Sequence, residues 1–310
     1  MIYIGKKLVS LIIVLFFASI VCFLIIHFIP GDPAEAMAGP GVSKEDVEML
    51  RVSMGLDKPL IEQYTTWIGN IILHGDFGKS LTSKEPVADL MGERFVNTLI
   101  LAACGIFLAI IIGIPLGIIS AIKQNSVIDL ITMGFSILGV SMPIFWVSLI
   151  LILVFSVNLK LLPATGSGTI LHLILPSIAI GLNSMAVIAR MTRSSILEVL
   201  RQDYVRTAKA KGANRKKVIH KHALRNALLP IVTLIGMNIG WQLGGTIVIE
   251  QVFAIPGIGT LMLTSIRSKD IPVVMSGVVF VCVLASIINL ITDIIYAYID
   301  PRVKSQYVKE

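Results

Sequence analysis

Charge is what this 310-residue chain has least of: Asp, Glu, Lys and Arg together make up 15% of it, against about 25% in an ordinary soluble domain. With 55% of residues hydrophobic and a mean hydropathy of +0.87, there is too little polar surface to cover a water-soluble globule, so lipid must solvate much of the outside. Cysteine is scarce as well. Cys22, Cys104 and Cys282 stand far apart inside apolar runs, which excludes a disulfide framework or metal knuckle and leaves them as small hydrophobes. The net charge of +7 comes without aromatics interleaved among the basic residues, so no nucleic-acid surface is expected. Catalytic signatures are missing too: neither HExxH nor GxSxG occurs, which argues against an integral membrane enzyme. The phosphate-loop ending Gly78-Lys79-Ser80 lacks its first glycine, because Leu73 stands five residues before Gly78. That cradle is incomplete, so nucleotide is expected on another polypeptide. His220 and His222, two apart, point in different directions on a helix, while His27, His74 and His172 are scattered. No metal site and no bound cofactor are expected.

Long apolar runs are what the chain has instead. Crossing ~30 Å of hydrocarbon takes about 20 residues of helix, and six segments qualify: 9–29, 97–121, 130–157, 170–189, 228–252 and 273–297. The expected fold is an all-α integral membrane protein with six transmembrane helices. The first run is longer than a signal-peptide core, and Ala36-Met37-Ala38 follows Pro30, so this span is expected to be retained. Span three contains Met142-Pro143, and span four contains Pro176 and Asn183. Such breaks survive in a membrane only beside protein or a cavity, so both helices are expected to face one or the other.

Basic residues set the orientation. Between spans four and five lie Arg190, Arg193, Arg201, Arg206, Lys209, Lys211, Arg215, Lys216, Lys217, Lys221 and Arg225, against Glu198 and Asp203. That side is cytoplasmic by the positive-inside rule. Lys6, Lys7, Lys123, Arg302, Lys304 and Lys309 fall on the same side, which puts both termini inside. Residues 30–96 are then external and carry eleven acids against six bases. Within them, Ser43-Lys44-Glu45-Asp46 reads as a helix start and Gly55 as its end. The amphipathic stretch Ile61 to Leu73 carries Tyr64 and Trp67, residue types of the membrane-water interface. The region is expected to form a small cap on the outer surface. The organisation that follows is an N-terminal helix 1–29, an external cap 30–96, a five-helix core 97–300 containing the cytoplasmic loop 190–227, and a tail 301–310.

The basic loop has a grammar of its own. Asp203 is placed to cap a helix through "YVRTAKAK", Gly212 to end it in a left-handed turn, and Asn214 to cap the next. That first helix is about two turns long and too polar to enter lipid, so it lies on the cytoplasmic face. Ala208 and Ala210 allow a partner close to the backbone. From charge alone, a solvated loop with no partner is the favoured account of the block.

The pattern "DYVRTAKAKGANRKKVIHKHALRNALLP" resembles the cytoplasmic signature loop of ABC importer permeases, in the version of the dipeptide, oligopeptide and nickel permease family. "IPGDPAEAMAGP", "MGLDKPLIEQY", "GDFGKS", "GVSMPIFW", "ARMTRSSILEVL", "GGTIVIEQVFAIPGIG" and "DIIYAYIDPRV" resemble further blocks of that family, in its order. Two departures stand out from the wider importer signature. Arg206-Thr207-Ala208 replaces its Glu-Ala-Ala opening, and Leu228-Leu229-Pro230 falls farther from Gly212.

The resemblance implies a bacterial inner-membrane permease subunit of an ATP-driven importer. Its partners would be two ABC ATPase subunits holding ATP and Mg2+, a second homologous permease and an extracellular or periplasmic substrate-binding protein. Asp203, Thr207, Ala208, Ala210, Lys211, Gly212 and Ala213 would couple to the ATPase. Short peptides are the implied cargo, with nickel or metal chelates and glutathione as alternatives. Ser141, Met142, Pro143, Asn183, Gly244, Gly245 and Glu250 are candidates for the translocation path or gate. Glu250 is an acid at the outer end of a span, and Gly244 and Gly245 allow close helix approach. Asp293 is expected in a polar cluster with Tyr296, Asp300 and Arg302. Arg190 and Arg193 share a helix face, either reaching headgroups or supporting the coupling helix. An ion-coupled secondary carrier would need ionisable residues at the membrane midplane or an inverted repeat, and the acids here sit near span ends.

Overall fold

Apolar segments with no water to satisfy their N–H and C=O groups close those bonds internally, as helices. A computed structural model describes residues 2–27, 33–38, 41–53, 55–212, 214 and 224–299, and all their long elements are helical. In chain order these are α1 (Ile2–His27), α2 (Pro33–Ala38), α3 (Lys44–Ser53), α4 (Leu60–His74), α5 (Val87–Ile122), α6 (Val127–Ser141) and α7 (Ile144–Leu151). The last continues as a π-helix, Ile152–Asn158. Then come α8 (Ile170–Leu200), α9 (Asp203–Ala210), α10 (Leu224–Val252), α11 (Ile258–Arg267) and α12 (Ile271–Ile299).

Four described helices are long and apolar enough to cross a membrane: Gly5–Leu24 of α1, then α5, α8 and Ile271–Ile295 of α12. Two further candidates are bent pairs. α6 and the α7–π segment meet at 108°, and the halves of α10 around residues 240–244 meet at 55°. Six spans result if each pair crosses once. The first break has a local cause: Pro143 forces the residue before it out of the helical region, and Met142 is extended at φ −80°, ψ 131°. Pro176, read from sequence as a second break, lies inside a continuous α8 and is buried. Surrounding protein is what tolerates a proline within a membrane helix.

The chain divides into two compact units. The first comprises Met1–Lys7, Thr98–Ile255 and Ile287–Glu310, and α8 runs through its core. Leu175, Ala179 and Ile180 of α8 pack with Leu101 of α5 and with Ile249 and Phe253. Farther along, Ile196 packs with Ala121, Ala227 and Ile231. The α5–α8 contact depends on Gly113 and Gly117, four apart on one face. A Cβ at Gly113 would stand 2.9 Å from the Met185 carbonyl oxygen, and one at Gly117 would stand 2.5 Å from that of Ala189. Two small residues at this spacing let membrane helices meet backbone to backbone.

The second unit comprises Leu8–Asn97 and Pro256–Ser286. α3 starts as its sequence predicts, with the Asp46 N–H donating to Ser43 Oγ at 3.1 Å, and Gly55 follows it at φ +69°. In α4 the aromatics are engaged within the protein. Tyr64 and Trp67 pack edge-on or tilted against Phe23 of α1, centroids 5.5 and 6.1 Å away, while Leu60, Ile61, Ile72 and Leu73 are exposed apolar residues of α4. Ser80, the end of the phosphate-loop look-alike, is occupied within the protein. Its hydroxyl donates to Asp270 Oδ2 at 2.5 Å, and the Leu81 and Thr82 N–H groups donate to the same carboxylate at 3.0 and 3.2 Å.

Candidate coupling segment and translocation cleft

The polar segment after α8 is helical where its sequence says it should be. Asp203, expected as the cap, is instead the first residue of α9 and places an acid in its first turn, where the helix dipole favours it. The Thr207 hydroxyl donates to the Asp203 carbonyl at 3.0 Å, and the Lys211 N–H donates to the Thr207 carbonyl at 3.0 Å. Gly212 then turns left-handed at φ +79°, a conformation in which a Cβ is strained. One residue anchors the helix from below: Val205 is fully buried. Tyr204 anchors it sideways, its hydroxyl accepting from Asn226 Nδ2 of α10 at 3.0 Å. Thr207, Ala210, Lys211 and Gly212 are exposed and Ala208 is half-buried, so α9 shows small side chains outward. Ala213, His220 and His222 lie outside the described residues, as does the helix expected to follow Asn214.

Arg193, left undecided in sequence, has a definite partner. Its Nε donates to Asp129 Oδ1 at 2.7 Å and its Nη2 to Oδ2 at 2.8 Å. The same carboxylate accepts from the Ser120 hydroxyl and from the Asn125 N–H at 2.9 Å. Ser126 Oγ caps α6 by accepting from the Asp129 N–H at 3.3 Å. One anion thus ties together the end of α5, the turn, the start of α6 and the inner part of α8. Ser126-x-x-Asp129 was the available sequence signal, a helix start, but nothing local names Arg193 as the partner. Arg190 is exposed. Asp293 pairs with Lys7, Nζ to Oδ2 at 2.7 Å; the Tyr296 side chain, Asp300 and Arg302 of the expected cluster lie outside the described residues.

A cleft of about 450 Å³ opens within the first unit, between the α6–α7 break, α8 and α10. Met142, Asn183 and Gly245 of the path candidates line it. Ser141 and Pro143 adjoin Met142 and are exposed, the Ser141 hydroxyl donating back to the Ile137 carbonyl at 2.9 Å. Gly244 is exposed, and a Cβ on Gly244 or Gly245 would meet open space. Within the chain, close helix approach is made at other glycines, Gly113 and Gly117 among them. Glu250 is apart from the cleft: it is 0% exposed, and the Thr98 hydroxyl donates to it at 2.7 Å. Three polar cleft residues were not foreseen. Gln242 Nε2 donates to Ser184 Oγ at 3.0 Å, Ser184 Oγ to Asn238 Oδ1 at 3.3 Å, and Asn238 Nδ2 to the Leu234 carbonyl at 2.8 Å. Each lies within an apolar run, where a lone amide or hydroxyl gives no periodic signal. Among the described residues no three His, Cys, Asp or Glu side chains gather as a metal ion would require.

Comparison with known proteins follows this geometry. The family described as "Binding-protein-dependent transport system inner membrane component" matches residues 113–305, and its membrane-component N-terminal counterpart matches residues 1–102. The chain is 42% identical over 302 residues to the "Glutathione transport system permease protein GsiC" of Escherichia coli (strain K12), covering 97% of this chain and 98% of that protein. The protein of the same name from Shigella dysenteriae serotype 1 (strain Sd197) matches with the same identity and coverage. Among solved structures, a chain of the MetNI methionine ABC transporter, in inward-facing conformations, superposes with a TM-score of 0.60 at 19% identity, over 70% of this chain and 99% of that one. At such identity the likeness is one of fold.

Proposed function

This chain belongs to the family of binding-protein-dependent transport system inner membrane components, as a permease subunit of an ABC importer, and from that premise we propose that its cargo is short peptides, glutathione among them. The observation that carries the cargo reading is the 42% identity to a glutathione permease across 97% of the chain. Glutathione is itself a tripeptide, so the two cargo names describe one chemistry.

In this reading the chain does no chemistry. Two ATPase subunits bind ATP and Mg2+ on the cytoplasmic side, a second permease completes the pathway, and a substrate-binding protein delivers cargo to residues 30–96 outside. α9 is the part an ATPase grips. Its small residues, Ala210 exposed and Ala208 half-buried, permit close approach, and the left-handed Gly212 fixes where the helix stops. α9 abuts α8 directly, and through that contact the push passes to α8. The Asp129–Arg193 pair makes α6 follow α8, and the cleft edged by Met142, Asn183 and Gly245 changes its access. Glu250, buried against Thr98, is assigned to packing within the subunit.

The test is reconstitution of the chain with its ATPases, second permease and binding protein in vesicles. ATP-dependent accumulation of labelled trialanine and glutathione is the expected result. Uptake by the chain alone, driven by an ion gradient, would instead establish a secondary carrier.

A further inference from the structure

The cleft's lining has a chemistry that the importer role does not by itself require. Both bent helix pairs break at its edge, at Met142-Pro143 and before Gly245, and broken membrane helices persist where they border a cavity. None of the residues lining it is ionisable. Its polar side chains are three carboxamides, Asn183, Asn238 and Gln242, together with the Ser184 hydroxyl. The chain of hydrogen bonds from Gln242 Nε2 through Ser184 to Asn238 and on to the Leu234 carbonyl uses each donor in turn. It leaves an acceptor over. Gln242 is 5% exposed, and its Oε1 is buried with no hydrogen-bond partner among the described residues.

An unsatisfied carbonyl oxygen in such surroundings is costly, so its retention calls for an account. An N–H brought in from outside the chain would satisfy it. Asn183, next to Ser184 in sequence and exposed on the cleft wall, supplies both a donor and an acceptor. A bare cation would find no counter-charge here, and burying an unpaired charge is more costly than burying an amide. We infer that this carboxamide cluster is a transient binding subsite for the backbone amide groups of the cargo. Gln242 Oε1 accepts from a cargo N–H, and Asn183 bonds a neighbouring peptide group. The oxygen is sealed from water in this conformation, so cargo reaches it as the two halves of α10 move. This assignment rests on the importer reading and adds to it a place and a mode of recognition.

The test uses the complete reconstituted transporter with binding protein supplied already loaded, either with trialanine or with trialanine methylated on its backbone nitrogens. Cargo accumulated per ATP hydrolysed is the readout. Wild type is expected to favour trialanine over the methylated form. Gln242→Leu is expected to lower trialanine accumulation per ATP about ten-fold and to erase the preference, as loss of one or two buried hydrogen bonds would. Asn183→Ala, at an exposed position, is expected to lower the ratio similarly and decides the matter if Gln242→Leu does not assemble. A wild type that accumulates neither peptide overturns the peptide-importer reading and this subsite with it. An active wild type whose ratio and preference are unaltered by the variants overturns the subsite alone. So would a map of the assembled complex in which a helix of the second permease fills the cleft throughout the cycle.

Discussion

A bidentate pair between Asp129 and Arg193 shows what single residues do in this protein. The Asp129 side chain is 6% exposed and that of Arg193 24%, so removing one partner leaves a largely buried charge without its counter-charge. Breaking such a pair from one side costs about 3–5 kcal/mol, whereas replacing both partners by apolar groups is often neutral. Arg193→Met is therefore expected to lower the melting temperature of the purified complex sharply, and Asp129→Leu combined with Arg193→Met to recover much of the loss. A double variant no more stable than the single one would mean that the Ser120 and Asn125 bonds to Asp129, rather than the pair, hold these helix ends. Glu250 is a quieter case. Glu250→Gln keeps an acceptor for the Thr98 hydroxyl and should leave ATP-driven uptake near wild type. Glu250→Leu removes the acceptor that the Thr98 hydroxyl uses and should destabilise by about 1–3 kcal/mol. A large uptake defect in Glu250→Gln would return this acid to the pathway.

Whole elements were easier to read than the contacts between them, and the reasons are physical. A membrane span announces itself because about 20 consecutive residues must all be apolar, and α9 because Gly212 closes a polar two-turn segment between two such runs. The break at Met142-Pro143 was legible because proline restricts the residue before it. The bend of α10 near residues 240–244 was not, since no proline marks it and glycine in a membrane helix has several uses. Partners distant in sequence were illegible. Arg193 lies 64 residues from Asp129, Gln242 lies 58 from Ser184, and periodicity relates residues only within one helix. The same limit hid the glycine contact within the chain: α5 meets α8 through Gly113 and Gly117, which nothing local singled out. Gly117→Leu is accordingly expected to push α5 from α8 and to lower the yield of folded protein. Gly244→Ala, facing open space, should be tolerated for folding. Detergent-solubilised yield and melting temperature measure both. For α9, Gly212→Val places a β-branched residue at φ +79°. Strain of about 1–3 kcal/mol falls on this turn, so ATP-driven uptake should collapse while membrane insertion persists. Unchanged uptake would remove α9 from the coupling role.

At the scale of the molecule, the functional reading requires that α9 and residues 30–96 face opposite sides of the membrane. The packing alone is indifferent to which side is which, because lipid solvates both ends of a helix bundle alike. The asymmetry comes from charge: eleven acids against six bases in residues 30–96, and eleven bases against two acids from Arg190 to Arg225. Basic loops are retained in the cytoplasm during insertion, so the eleven bases from Arg190 to Arg225 predict that α9 lies inside. The prediction is direct. In a background with Cys22, Cys104 and Cys282 replaced by serine or alanine, Lys44→Cys is expected to react in intact cells with a maleimide that cannot cross the inner membrane. Lys211→Cys is expected to react only after the membrane is opened. Both positions are exposed on the chain itself, and the labelling uses cells lacking the ATPase subunits, which would cover Lys211, so a failure to label cannot be laid to burial. The reverse pattern would put α9 outside, where no ATPase could reach it, and the coupling mechanism would fail however well the fold resembles that of an importer.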